Sequence, residues 1–156
     1  MREKVRGLLK GRAMLYHVLH EELIGELGEA RATDILECVI YGCGATAGTG
    51  LRTFAPDDFA GLRDAFFAMV PDAENLFGLE VRRCDGQGLE LFFLRCPQKE
   101  AWLEAGLTPE RVAALCGMAG RFDNGVFEAA GFDVSTKTWK PGTDGCCVLQ
   151  VSTKNG

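Results

Sequence analysis

The chain has 156 residues, of which 47% are hydrophobic and 25% are charged. These values are typical of one globular domain with a single buried core, and we expect residues 1–156 to form one domain. The 17 basic and 22 acidic residues give a net charge of −5. This balance argues against nucleic acid as a general partner, because proteins that bind it usually present a positive surface.

The seven cysteines are the most unusual part of the composition. An odd number cannot pair completely in internal disulfides, and the first residues do not resemble a secretory leader. No stretch reaches the roughly 18 apolar residues that predict a membrane span. We therefore expect a cytoplasmic protein with reduced thiols and no membrane span.

The N-terminal part, residues 1–72, is predicted to be mainly helical. Apolar residues recur at steps of three or four from Val5 to Leu27, and Gly28 is a typical end for this first helix. The resulting apolar stripe could pair with a second copy of the chain, which predicts a homodimer through the N-terminal helix.

Two further helices are expected in this part. The second starts near Glu29 and gives way to the glycine-rich run 42–50, where small residues allow close helix packing or a loop that approaches a ligand. The run has no phosphate-loop lysine and follows no strand, so we reject a nucleotide site. The third helix opens at residues 56–58 and closes before Pro71.

Residues 73–156 are predicted to have the order ββααββ. Alternating apolar residues flank a turn at 85–88 and a second turn at 141–145, which indicates two β-hairpins. Leu79, Val81, Leu91 and Phe93 are candidate core positions of the first hairpin. The helices between the hairpins are expected over 98–105 and from a Thr108 cap, with Pro109 in the first turn, to Gly131. The fold class is therefore α+β, with N-terminal helices and a four-stranded sheet made of two antiparallel hairpins.

Cys116 and Asp123 lie seven residues apart in this predicted long helix, so two turns place them on one face, with Phe127 one turn further. A carboxylate on an apolar stripe is costly to bury unless it is paired or functional. Cys146 and Cys147 are expected to begin the last strand and to point to opposite faces, so only one can join a given site. Cys116, Asp123 and Cys147 are the candidate catalytic residues.

Three interpretations of these cysteines compete. A thiolate nucleophile needs a neighbouring base or positive end that lowers its pKa. A metal site could take three sulfurs, from Cys96, Cys116 and one of Cys146 and Cys147, and hold zinc or iron. Because the chain has no CxxC pair, this metal signal is weak. The third interpretation is packing, since cysteine is a common core residue.

Charged residues outside this group suggest other contacts. Arg121 and Lys137 could bind a substrate carboxylate, although solvated charges are the commoner outcome. His17 and His20 are spaced for metal ligation, but an exposed helix flank is the commoner outcome for such a pair.

The C-terminal sixty residues resemble the L-2-amino-thiazoline-4-carboxylic acid hydrolase family. The specific part of the resemblance runs from Arg95 to Val151, and the helical N-terminal part is compatible with it. Val148 departs from the pattern, because an acidic residue often follows the cysteine pair in this family. The residues that carry the resemblance are Arg95-Cys96-Pro97, Trp102, Gly106-Leu107, Cys116, Asp123, Phe127, Thr136-Lys137-Thr138, Gly142 and Cys146-Cys147.

This resemblance implies a hydrolase that opens a cyclic amidine, the thiazoline carboxylate, to N-carbamoyl-L-cysteine. We expect cleavage of a C–N bond of a small cyclic amidine or amide, with Arg121, Lys137 and Thr138 at the substrate. The architecture is also similar to 4-vinyl reductase small-molecule-binding domains. The alternative function is therefore a non-catalytic domain that binds a small molecule or senses a metal or redox state through its cysteines.

Overall fold

The computed structural model describes residues 1–155, which form helices packed against one face of an antiparallel sheet and confirm the α+β prediction. A short 3-10 segment (Thr49–Phe54) follows α2 and a short π-helical segment (Ala73–Phe77) precedes β1. The helices and strands are α1 (Arg2–Leu27), α2 (Glu29–Gly48), α3 (Phe59–Met69), β1 (Leu79–Asp85), β2 (Gly88–Phe93), α4 (Pro97–Glu104), α5 (Pro109–Ala119), α6 (Arg121–Ala129), β3 (Phe132–Lys137) and β4 (Cys147–Thr153).

The two predicted hairpins form one sheet with the strand order β1-β2-β4-β3. β2 and β4 are its central strands, and Phe93 pairs with Cys147 where they meet beside the helices. The expectation that Val81 belongs to the core is wrong, because its side chain is 41% exposed. The register shifts between Val81 and Arg83, and such a bulge redirects side chains on an edge strand.

Gly28 ends α1 as predicted, with a positive φ of 79° that favours glycine. The buried face of α1 matches the predicted apolar stripe only in part. Leu9 of the stripe is buried, together with Ala13 and His20, whereas Leu8 and Leu15 are 76% and 62% exposed. These two exposed leucines of α1 therefore lie outside the core.

The glycine-rich run is a helix-packing surface, the first of its two predicted interpretations. The expectation that α2 ends before the run is wrong, since the helix continues through Gly48. A Cβ on Gly44 would lie 2.0 Å from the Phe122 carbonyl oxygen, and one on Gly48 would lie 2.0 Å from that of Val126. Gly125 of α6 approaches the α2 backbone equally closely, so these glycines let two helix backbones touch.

The long helix predicted from Thr108 to Gly131 is two helices, α5 and α6. The predicted Thr108 cap is confirmed, because its hydroxyl accepts a hydrogen bond from the Arg111 amide. At Gly120 the helix is interrupted, and the Asp123 amide bonds to the Gly120 carbonyl only three residues back. A Cβ on Gly120 would lie 2.6 Å from the Thr138 methyl group, so this approach needs glycine.

The core has two parts that meet near the α5–α6 junction. One lies between the sheet, α3 and α6, and the other lies among α1, α2, α4 and α5. Trp102 is fully buried in the second part and donates a 2.8 Å hydrogen bond from its indole to the Ala13 carbonyl. Across residues 1–155 we find no helix that combines the length and the apolar character needed to cross a membrane.

Candidate functional site

A cavity of about 180 Å³ opens where the two parts of the core meet. It collects residues from α1, α3, β2, α4, α5, α6 and the start of β4, so no local stretch of sequence forms it. Its polar and thiol side chains are Arg12, Tyr16, Cys96, Gln98, Cys116, Asp123, Cys146 and Cys147, and its largest apolar ones are Leu9, Phe66, Met69, Phe77, Phe93 and Phe122.

Cys96 occupies the residue that caps the amino end of α4. The pKa of its thiol is lowered, first by a hydrogen bond with the Cys146 thiol and then by the backbone N–H groups of Lys99 and Gln98, which together outweigh burial. Helix amino ends carry unpaired N–H groups and partial positive charge, which stabilise a thiolate. Cys96 is therefore the thiol of this cavity best prepared to act as a nucleophile.

Cys146 and Cys147 both line the cavity, and their sulfur atoms lie 3.2 Å apart. The expectation that they point to opposite faces is wrong, because β4 begins at Cys147 and Cys146 precedes it. Gly145, with φ 73°, turns the chain just before Cys146. Hydrogen bonds with Cys147 and Cys96 raise the pKa of Cys146, so it remains a thiol that can donate to Cys96.

Cys116 reaches the cavity from α5 and is 5% exposed. Burial raises the pKa of this thiol, and the neighbouring Cys96 and Cys147 sulfurs raise it further. A thiol held in this form is a poor nucleophile at neutral pH. The structure thus brings the predicted Cys116 to the site in an environment that favours its protonated form.

Asp123 lies in the first turn of α6 and faces the same cavity. The prediction that it shares a site with Cys116 agrees with the lining of the cavity, although two helices carry the residues instead of one. Burial raises the pKa of Asp123 to about 7. A carboxyl group with a pKa near neutrality can both donate and accept a proton, which suits general acid–base catalysis.

The sequence analysis missed Arg12, Tyr16 and Gln98, the remaining polar groups of the cavity. Arg12 and Tyr16 are four residues apart on α1, so one helix face presents both. The side-chain nitrogen of Gln98 is buried without a hydrogen-bond partner among the described residues. Such a donor inside a cavity is available to a ligand. The four-residue spacing on α1 was the available signal for Arg12 and Tyr16.

The residues predicted at the substrate, Arg121, Lys137 and Thr138, are absent from the lining of this cavity among residues 1–155. The Arg121 guanidinium lies 5.1 Å from the centre of the Tyr41 ring. Lys137 is exposed on β3, and Thr138 packs against Gly120. Their predicted role in substrate binding stays untested.

His17 and His20 take part in a separate polar cluster with Arg111. His20 is 1% exposed, and its two ring nitrogens contact Thr33 at 2.9 Å and Arg111 at 2.8 Å. Within residues 1–155, no group of three or more His, Cys, Asp or Glu side chains is arranged to hold a metal ion. The cysteines predicted to bind zinc or iron therefore do not fit that role in this arrangement, and we derive no step through a metal.

The chain is thus an α+β domain with an internal cavity lined by thiols, a carboxyl group and aromatic side chains. The chain belongs to the L-2-amino-thiazoline-4-carboxylic acid hydrolase family, whose sequence model matches residues 8–149. No protein of curated function matches the chain.

The fold is similar to that of a solved structure. It is the phenol-responsive sensory domain of the transcription activator PoxR, crystallised with phenol. The TM-score is 0.53 and the identity 15%, over 90% of this chain and 73% of that chain. At this identity the similarity shows the fold alone.

Proposed function

We propose that the protein is a thiol-dependent hydrolase acting on a small cyclic amidine that carries a carboxylate, of the 2-aminothiazoline-4-carboxylate type. One observation carries the proposal: the thiol of Cys96, the residue at the N-cap position of α4, and the carboxyl group of Asp123 line the same small cavity. Family membership supports the reaction class. A cavity of about 180 Å³ favours a compact substrate over a drug-sized one.

In the proposed first half-reaction, the Cys96 sulfur attacks the amidine carbon of the ring. The bond from that carbon to the ring sulfur breaks, and protonated Asp123 donates a proton to the departing sulfur. The enzyme then holds an S-linked isothiourea, and the substrate carries a free thiol. The ring has opened without an external oxidant or cofactor.

In the second half-reaction, ionised Asp123 takes a proton from water, which adds to the same carbon. The bond to Cys96 breaks, the enzyme thiol is restored, and an N-carbamoyl cysteine is released. This product retains the amidine C–N bonds and requires C–S cleavage. The C–N cleavage expected from the sequence would apply to a cyclic amide or amidine without a ring sulfur.

Arg12 and Gln98 are the groups we assign to the substrate carboxylate. A guanidinium can bind both oxygens of a carboxylate, and the unpaired Gln98 amide can donate another hydrogen bond. Cys147 remains the alternative nucleophile from the sequence prediction, since it lines the same cavity. We favour Cys96 because a hydrogen bond with the Cys146 thiol and the backbone N–H groups at the amino end of α4 lower its pKa.

The test is release of a titratable thiol from 2-aminothiazoline-4-carboxylate by purified protein. We expect Cys96→Ser to reduce turnover to the background rate and Asp123→Asn to reduce it by about 100-fold or more. Cys84→Ser is the matched control, because Cys84 is a half-buried thiol on β1 outside the cavity. Loss of activity in Cys147→Ser with full activity in Cys96→Ser would move the nucleophile to Cys147. Full activity in both variants would refute thiol catalysis.

A second candidate function is binding of a small aromatic molecule without turnover. The observation that favours it is the aromatic lining of the cavity, which includes Phe66, Phe77, Phe93 and Phe122, together with a fold shared with a sensory domain. Calorimetry with phenol and with the thiazoline carboxylate separates the two functions. Binding of phenol without hydrolysis of the thiazoline would support this second function and contradict the first.

A further inference from the structure

The exposed face of α1 carries a row of leucines at the spacing of a helix–helix seam. Leu8, Leu15 and Leu19 are 76%, 62% and 42% exposed, and they follow one another at steps of seven and four residues. The buried Leu9, Ala13 and His20 form a different face, which packs against the rest of the chain. Exposed leucines aligned in this way usually mark a surface that another helix covers.

The charges along this exposed seam are divided between the two ends of the helix. Lys4 lies in its first turn, and Glu22 and Glu26 lie in its second half. All three side chains are on exposed residues, and none forms a salt bridge within the described structure. The neighbouring Arg6 and Lys10 already pair with Glu100 and Glu104 of α4. Three charges without ion pairs therefore lie at the two ends of the leucine row, one basic and two acidic.

We propose that α1 packs against α1 of a second copy of this chain in the antiparallel direction. This direction places Lys4 of each helix beside the partner's Glu22 and the partner's Glu26. It also places Leu8 near the partner's Leu19. These leucines occupy the two different core positions of the heptad, which face each other when two helices run antiparallel. The parallel direction would bring like charges together along the whole seam.

The pairing has two-fold symmetry, so each seam residue contributes twice and the assembly closes as a dimer. Leu9, Arg12 and Tyr16 of the same helix line the cavity. The dimer would therefore hold the α1 wall of the cavity against a second helix. The inference does not depend on hydrolysis, because it uses only the outer face of α1.

The test is the mass of the full chain by sedimentation equilibrium over a range from nanomolar to high micromolar concentration. We expect a monomer–dimer equilibrium that Leu15→Glu weakens by about tenfold or more. Leu94→Glu is the matched control, because Leu94 is 53% exposed and lies just after β2, outside the leucine row of α1. A monomer at every concentration would overturn the proposal, as would a dimer that Leu15→Glu leaves unchanged.

Charge reversal tests the direction of the helices. Lys4→Glu should weaken the dimer, and adding Glu26→Lys in the same chain should restore it, because an antiparallel seam pairs these two positions. Restoration by the double variant together with weakening by each single variant supports the antiparallel arrangement. A double variant weaker than both single variants would overturn it. Circular dichroism on each variant confirms that the helices remain folded.

Discussion

The sulfur atoms of Cys146 and Cys147 lie 3.2 Å apart and face the same cavity, although the residues are adjacent in the chain. This is possible because Gly145 turns the backbone and Cys146 precedes β4, which begins at Cys147. The alternation of side chains along a strand therefore does not apply to this pair. The amide of Cys146 still donates a 2.8 Å hydrogen bond to the Phe93 carbonyl, which anchors the pair at the end of β2. Two thiols thus enter the site next to Cys96.

The first prediction concerns the reactivity of Cys96. Because the amino end of α4 and the Cys146 thiol lower its pKa, we expect iodoacetamide to alkylate Cys96 faster than Cys116 at pH 7. Mass spectrometry of digested protein after timed labelling measures each rate. Protein unfolded in urea is the control, and there the two rates should become similar. Equal rates in the folded protein would contradict the prediction.

The second prediction concerns Asp123 and stability. Its folded pKa of about 7 lies above the unfolded value, so the stability that its protonated form contributes is complete at low pH and is lost as the pH rises through about 7. Asp123→Asn removes this loss. We expect the variant to exceed the original chain in free energy of unfolding at pH 8, by up to roughly 4 kcal/mol, and the difference to shrink toward pH 4.

Urea unfolding at both pH values measures this difference. A constant difference between pH 4 and pH 8 would contradict the raised pKa of Asp123, because it would show that folding does not change its pKa. Asp133→Asn is a suitable control, because Asp133 lies on β3 outside the cavity.

The third prediction concerns the cluster of His20 and Arg111. Burial lowers the pKa of His20 most, and the Arg111 cation lowers it further. The unfolded chain therefore binds more protons, and stability present above the ordinary histidine pKa of about 6.5 is lost as the pH falls through the folded value.

We expect His20→Gln to flatten the dependence of unfolding free energy on pH between 7.5 and 5. His17→Gln is the matched comparison on the same helix. Chemical denaturation monitored by circular dichroism measures both. An unchanged slope in His20→Gln would show that another group causes the acid sensitivity.

The fourth prediction concerns the contact between α2 and α6. A Cβ on Gly125 would lie 2.2 Å from the Tyr41 carbonyl oxygen and 2.7 Å from the Ala45 amide nitrogen, so Gly125→Ala must separate two backbones. We expect it to cost about 1–3 kcal/mol or more of stability. Gly42→Ala is the control, because its Cβ would meet nothing within 4 Å.

Gly42→Ala should stabilise α2 by up to about 1 kcal/mol, since alanine is the better helix former. Thermal unfolding of both variants compares the two effects. Equal effects at the two positions would show that α2 and α6 can move apart at little cost.

Local signals in the sequence determined most of the elements. Gly28 and the Thr108 cap mark helix ends through chemistry that needs only neighbouring residues, and the turn at 85–88 brings together two strands only a few residues apart. The same signals could not show that Gly120 lies close against Thr138, because that contact involves a distant element. They also could not show which side of α1 is buried, since an apolar stripe does not reveal what covers it.

The sequence by itself therefore determined an α+β chain, and its cysteine pattern pointed to Cys96, Cys116, Asp123 and the last cysteine pair as a site. Only the tertiary structure decided that Cys96 caps α4, that both members of the pair enter the cavity, and that Arg12 and Gln98 join them. The hydrogen bond with Cys146 and the backbone N–H groups of α4 lower the pKa of Cys96, and burial raises that of Asp123. Both arise from packing between distant segments, and no pattern of neighbouring residues encodes them.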